Sequence, residues 1–115
     1  MMNAYNQTRQ TSIAGNVEKA HSTLRRMKGL LGKNAMPENY GLWIKPCQSI
    51  HTFFMKFPID VIFLSSDLHV VEIAPSIKPF RLSSWVHSAQ SVLELASGSI
   101  ANSGTQVGDK VEFRS

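Results

Sequence analysis

The chain has 115 residues, 43% of them hydrophobic, 9% aromatic and 17% charged, with a net charge of +4. A charged share below the roughly 25% of ordinary soluble domains asks for a packed core rather than a disordered chain. The length suits one domain and leaves no room for a doubly wound nucleotide-binding unit with a partner domain. Six of the twelve bases (Arg9, Lys19, Arg25, Arg26, Lys28, Lys33) fall in the first 33 residues, opposed only by Glu18. Such a skew suits either a solvated helix face or a surface meeting phosphate or acidic lipid. The single cysteine, Cys47, excludes an internal disulfide and gives no sign of an oxidising compartment. Residues 1–12 hold no apolar signal-peptide core, and Ile59–Leu64, the longest apolar run, is too short to span a bilayer. A cytoplasmic protein without a transmembrane segment is the expectation.

Residues 1–12 carry no period and read as a flexible or irregular lead-in, or an irregular first strand, ahead of a single β-rich domain over 13–115. From Asn16, apolar Val17, Ala20, Leu24, Met27, Leu30 and Leu31 recur at spacings of three and four. That spacing predicts an amphipathic N-terminal helix capped by Asn16 and stopped by Gly32. Strand grammar follows. Tyr40–Ile44 is a short apolar run ended by Lys45-Pro46, and Ser49–Phe57 is rich in Ile, Thr and Phe. Ile59–Leu64 and His69–Ile73 are predicted to pair as a hairpin across Ser65-Ser66-Asp67. Pro79 keeps Lys78–Leu82 extended, Ser91–Leu95 is another strand, and Ser97–Ser103 suits a helical turn or two stopped by Gly104. A Gly-Asp turn leads into a last strand ending at Phe113. Six or seven strands predict a mainly β, mostly antiparallel sandwich or barrel, with one N-terminal amphipathic helix and a short helical turn before the last strand.

The text from Cys47 onward, CQSIHTFFMKFPIDVIFLSSDLHVVEI, is the most distinctive in the chain. With GLLG and GLW before it, KPFRL after it and VLELASGSIANSGTQVGD near the end, it resembles domain of unknown function 192 from about Leu24 to Phe113. The resemblance implies a small, mostly β sandwich or barrel of bacteria and archaea with no agreed activity, so it speaks to fold more than to function. It also implies a link to pilus or secretion assembly as one setting for a protein partner. Relatives often carry Gly where this chain has Phe54, a position where a small residue would suit a bulge.

Asp60 and Glu94 stand out because each sits between apolar neighbours in a predicted strand. Two buried carboxylates suit acid–base chemistry, while local satisfaction by backbone N–H groups is the commoner use of such residues. For Asp60 the expected amides lie beside the Met55–Pro58 turn. His51 beside a carboxylate suits a general base, with Cys47 or Ser49 as nucleophile, but no third orienting group stands at a recognisable spacing. A loop thiol after Lys45-Pro46 is a place for a lowered pKa. The histidines at 21, 51, 69 and 87 have no pair three to five apart, which leaves His51, Asp60 and His87 as a metal site only by long-range convergence. Trp43, Phe53, Phe54, Phe80 and Trp85 suit a pocket lining or a stacking platform for sugar or nucleotide bases. At strand spacing the first four read first of all as core, whereas Trp85, in a polar loop, reads as a recognition residue or a plug. Without a phosphate-cradling glycine loop or interleaved bases and aromatics, the pattern argues against nucleic acid.

The favoured reading is a non-enzymatic binding or accessory module for a protein partner or small ligand. It uses His51, Thr52, Met55, Asp60, Trp85 and Glu94 in a cleft beside the SIHTFFMKFPID block, with no cofactor and no metal. The alternative is a small hydrolase-like or metal-dependent enzyme built on His51, Asp60 and Glu94.

Overall fold

The computed structural model of the chain describes residues 2–20, 35–53 and 55–115. Its strands, in order, are β1 (Met2–Asn6), β2 (Thr11–Ala20), β3 (Tyr40–Ile44), β4 (Ile59–Leu64), β5 (Val70–Ile77), β6 (Ser91–Ala96) and β7 (Val111–Arg114), with helix α1 (Ser99–Ser103) between β6 and β7. They form one seven-stranded sheet in the order β5-β4-β6-β3-β2-β1-β7, antiparallel except for the parallel pair β2–β3.

The sheet curls into a half-barrel. Leu93, Leu95, Ile62, Leu64, Val17, Ala4, Val70 and Val111 line its concave side, where Trp43 of β3 stacks on Phe113 of β7 with ring centroids 3.9 Å apart. Those two strands are separated in the sheet by β2 and β1, so the stack measures how far the sheet has curled. The start of β5 is stitched to the turn before β7 by Val70 N–H to Asp109 O (2.8 Å) and Gly108 N–H to Val70 O (2.7 Å). A second apolar layer covers the convex side, with Leu42, Ile44, Val61, Phe63 and Val92 under Ile50, Met55, Phe57, Val86 and Ala89. Both faces of β3, β4 and β6 are therefore buried, and these strands read as near-continuous apolar runs rather than alternating ones.

The expectation of an N-terminal helix is corrected. The first element is strand β1, and Thr11–Ala20 is strand β2. The cause lies in the spacing of the buried residues. Val17 joins the concave layer and Ala20 the convex one. A step of three along a strand lands on opposite faces, and where both faces are covered it mimics helical spacing. The rest of the predicted helix, including Leu24, Met27, Leu30 and Leu31, lies outside the described residues, as does Phe54. Among the described residues the one helix is α1. It ends at Gly104, which takes the left-handed conformation (φ 69°) that a side chain would strain, and returns its N–H to Ala101 O.

The predicted hairpin forms between β4 and β5. Its turn is closed by Ser65 N–H to His69 O and Leu68 N–H to Ser65 O, at 2.9 and 3.0 Å. Among the described residues, Ser49–Phe57 and Lys78–Leu82 hold no regular strand. They meet instead in an irregular ribbon through the bridge His51–Leu82.

Candidate functional site

Asp60 sits on β4 with its side chain almost fully buried. Its Oδ1 accepts the Ser76 N–H (2.8 Å), and Oδ2 accepts the N–H groups of Gly98 (3.1 Å) and Ile100 (2.8 Å). These amides come from the irregular, positive-φ position in β5 and from the start of α1, not from the Met55–Pro58 turn. Helix α1 has no side-chain cap of its own, so the β4 carboxylate fills that place from across the fold. Gly98, at φ 98°, gives the turn a conformation that brings both amides onto one oxygen.

Glu94 is also fully buried, but on the other side of the sheet. Asp60 is paired with Leu95 of the concave layer, whereas Glu94 is paired with Val61 and Leu42 of the convex layer. Directly paired residues share a face. The two carboxylates therefore point to opposite faces, and the sheet lies between them. A concerted acid–base pair from Asp60 and Glu94 has no common point at which to act.

Thr52 is fully buried and acts as a clamp. Its hydroxyl donates to Lys78 O at 2.6 Å and accepts the Arg81 N–H at 2.9 Å, while its backbone takes the Phe80 N–H at 3.0 Å and gives its own N–H to Arg81 O at 2.9 Å. Met55 lies in the convex core. His51 is half-buried and stacks on Phe53, ring centroids 4.9 Å apart. The Cys47 thiol donates to Ser49 O at 3.0 Å. Burial pushes that thiol up, opposed in part by the Ser49 backbone contact and reinforced by the charge of Glu94. A nucleophilic cysteine requires the opposite shift, so the lowering expected from Lys45 is corrected. Among the described residues no group of three or more His, Cys, Asp and Glu side chains could hold a metal ion.

The feature that the sequence concealed is the outer face of the Ser49–Leu82 ribbon. Pairing of His51 with Leu82, and the Phe80 N–H to Thr52 O bond, run residues 48–53 antiparallel to 80–86. Ile50 and Thr52 point inward. The alternate positions point outward, and Phe53 (45% exposed), Phe80 (70%) and Leu82 (70%) stand in solvent, with Trp85 (67%) further along the same segment. Beside Trp85 lies a cleft of about 450 Å³ walled by Pro46, Cys47, Gln48, Ser49, Ala89 and Gln90. Phe80 is moreover held at φ 61°, a conformation that a bulky residue avoids. Phe53 and Phe80, expected in the core, are thus corrected to surface positions. The available signal was the polar setting of Phe80 and Leu82, with Lys78 and Arg81 alternating with them and Ser83-Ser84 following.

A second polar cluster, read in the sequence as no more than a Gly-Asp turn, ties the chain's ends together. Asp109 Oδ2 accepts Asn6 Nδ2 (3.0 Å), Arg9 Nε (3.0 Å) and the Gln106 N–H (2.9 Å). Burial alone would push the Asp109 carboxyl up, but the bonds from Arg9, Asn6 and Gln106 outweigh it and hold it below its ordinary value. This network fixes the β1–β2 turn against the approach to β7.

The half-barrel is shared with solved proteins. A candidate transcription regulator from Sinorhizobium meliloti 1021 superposes with a TM-score of 0.74 at 21% identity, covering 97% of this chain and 91% of that one. A protein of unknown function from Novosphingobium aromaticivorans gives 0.73 at 22%, covering 96% and 82%. At these identities the likeness concerns the fold. In sequence, a UPF0127 protein of Pyrococcus horikoshii is 33% identical over 94% of this chain and 96% of its own length. Another from Thermococcus kodakarensis is 34% identical over 94% and 71%. Relatives of the fold thus come from archaea and bacteria alike. The family model described as Uncharacterized ACR, DUF192, matches residues 4–113, and with relatives of this identity along the same span the chain belongs to the DUF192 family.

Proposed function

We propose that the chain is a non-catalytic recognition module whose binding face is the outer side of the ribbon formed by residues 48–53 and 80–86, with the cleft beside Trp85. One observation carries the reading. Four large apolar side chains, Phe53, Phe80, Leu82 and Trp85, are displayed outward from a segment that Thr52 clamps at three backbone positions. Exposure of one such residue is ordinary, but several on one clamped ribbon support an interaction site. Thr52 and Met55 support the face from below, as clamp and core filler, whereas Asp60 caps α1 on the other side of the sheet. Trp85 alone among the residues expected to bind stands in the face itself, with His51 at its edge. The catalytic alternative loses its main support because Asp60 and Glu94 lie on opposite sides of the sheet.

The test is a comparison of captures from native extract by the wild-type chain and by the double substitution Phe80→Ser/Leu82→Ser. Both residues are exposed, so the variant is expected to fold. A binder retained by wild type and lost by the variant supports the reading. Turnover of a small substrate that survives the double substitution, with no face-dependent binder, contradicts it.

A further inference from the structure

The apolar ribbon lies in a one-signed electrostatic setting. Residues 48–53 and 80–86 hold no acid, and the bases Lys78 and Arg81 lie in the segment that Thr52 clamps. Both bases are exposed. Phe80 and Leu82, which flank Arg81 in the chain, project into solvent instead of lining the cleft. From this combination we infer that the occupant of the face is an anionic lipid bilayer surface, on which the domain docks peripherally. The inference rests on the ribbon being the binding face and names what that face meets.

Three observations select this occupant. A second copy of the chain would set Lys78 and Arg81 against their own counterparts, with no acid in residues 48–53 or 80–86 to pair them, so charge disfavours self-association. A peptide-binding groove buries its anchors in concave pockets, whereas Phe80 and Leu82 are 70% exposed and stand outside the cleft. Trp and Phe beside Lys and Arg is the composition that partitions into the headgroup region, rings in the acyl boundary and cations on the phosphates. The mount fits the task. Because Thr52 holds residues 78–81 through their backbone, the ribbon presents Phe80 without having to order it on binding.

The experiment uses the full chain and vesicles of phosphatidylcholine, with and without an equal part of phosphatidylglycerol. The expected result is cosedimentation with the anionic vesicles only, weakening as salt is raised. Trp85 fluorescence should shift to the blue at the same lipid concentration. Trp85→Phe should lose that shift while still sedimenting, which separates the signal from the binding. Phe80→Ser/Leu82→Ser should lower partitioning by about tenfold or more through lost apolar contact. Lys78→Gln/Arg81→Gln should lower it by about tenfold or more through lost charge. Melting curves establish that each variant is folded. Absence of binding by folded wild type, equal binding to pure phosphatidylcholine, or binding indifferent to both double substitutions overturns the inference. If vesicles fail while a protein is captured from extract in a Phe80- and Leu82-dependent way, the bilayer is the wrong occupant and the binding face stands. If both fail, the face itself is wrong.

Discussion

Asp60 shows how one side chain can be conspicuous in a sequence for a structural reason. A carboxylate between Ile59 and Val61 invites a catalytic reading, yet its two oxygens are taken by the amides of Ser76, Gly98 and Ile100. Replacing it with Asn keeps one acceptor but turns an NH₂ group toward an amide and removes the charge, at an expected cost of about 2 kcal/mol. Asp60→Ala leaves three amides without their acceptor and should cost about 3–5 kcal/mol. Urea melts of both variants check this, and an alanine variant that melts like wild type would refute the capping role. Asp109 makes a prediction about pH. Its folded carboxyl lies below the ordinary value, so it contributes stability that is full above the unfolded pKa of about 3.9 and is lost as pH falls through the lower folded value. Asp67, pulled down to about 2 by its bonds to Ser65 and His69, titrates in the same acid range on the surface. Wild-type midpoints should therefore fall more steeply below about pH 4 than those of Asp109→Asn, and equal slopes would contradict the assignment. Both acidic residues were visible in the sequence as chemistry. Their partners were not, because those amides lie 16 to 40 residues from Asp60 in the chain and the Asp109 donors reach back as far as Asn6.

At the scale of elements, the strands that one reads most easily are those buried on both faces. Tyr40–Ile44 and Ile59–Leu64, the latter interrupted by Asp60 alone, are near-continuous apolar runs bounded by turn residues, and β3 and β4 occupy those spans. β2 misled for the same physical reason, since its buried residues belong to two layers and their spacing of three is shared with a helix. The ribbon fails in the opposite sense. Its aromatics have strand-like spacing and therefore read as core, but Ile50 and Thr52 take the inward positions. This gives the clamp a clean test. Thr52→Val keeps the volume and deletes the hydroxyl bonds to Lys78 O and Arg81 N–H, at about 2 kcal/mol. Phe80→Gly relieves the left-handed conformation while freeing the unfolded chain, and should stay within about 1 kcal/mol of wild type. A core phenylalanine would instead cost about 3–5 kcal/mol. Denaturant melts of the two variants distinguish a rigid mount with an exposed display from an ordinary core contact.

For the whole molecule, the sheet divides the chemistry that the sequence seemed to gather. The concave side holds Asp60 and the α1 cap, the convex side holds Glu94, and among the described residues four of the five large exposed apolar side chains stand on the ribbon. Val107 is also exposed, at 60%, but it stands apart, in the Gly108-Asp109 turn. It therefore serves as an internal control for the central claim, that the ribbon is the surface this protein uses. A photoreactive phenylalanine analogue placed at Leu82, and separately at Val107, reports whatever covers each position in living cells, protein or lipid. The expected result is a strong adduct at Leu82 that disappears on adding Phe80→Ser, and little or none at Val107. Equal labelling at the two positions, or labelling at Val107 alone, would contradict the account.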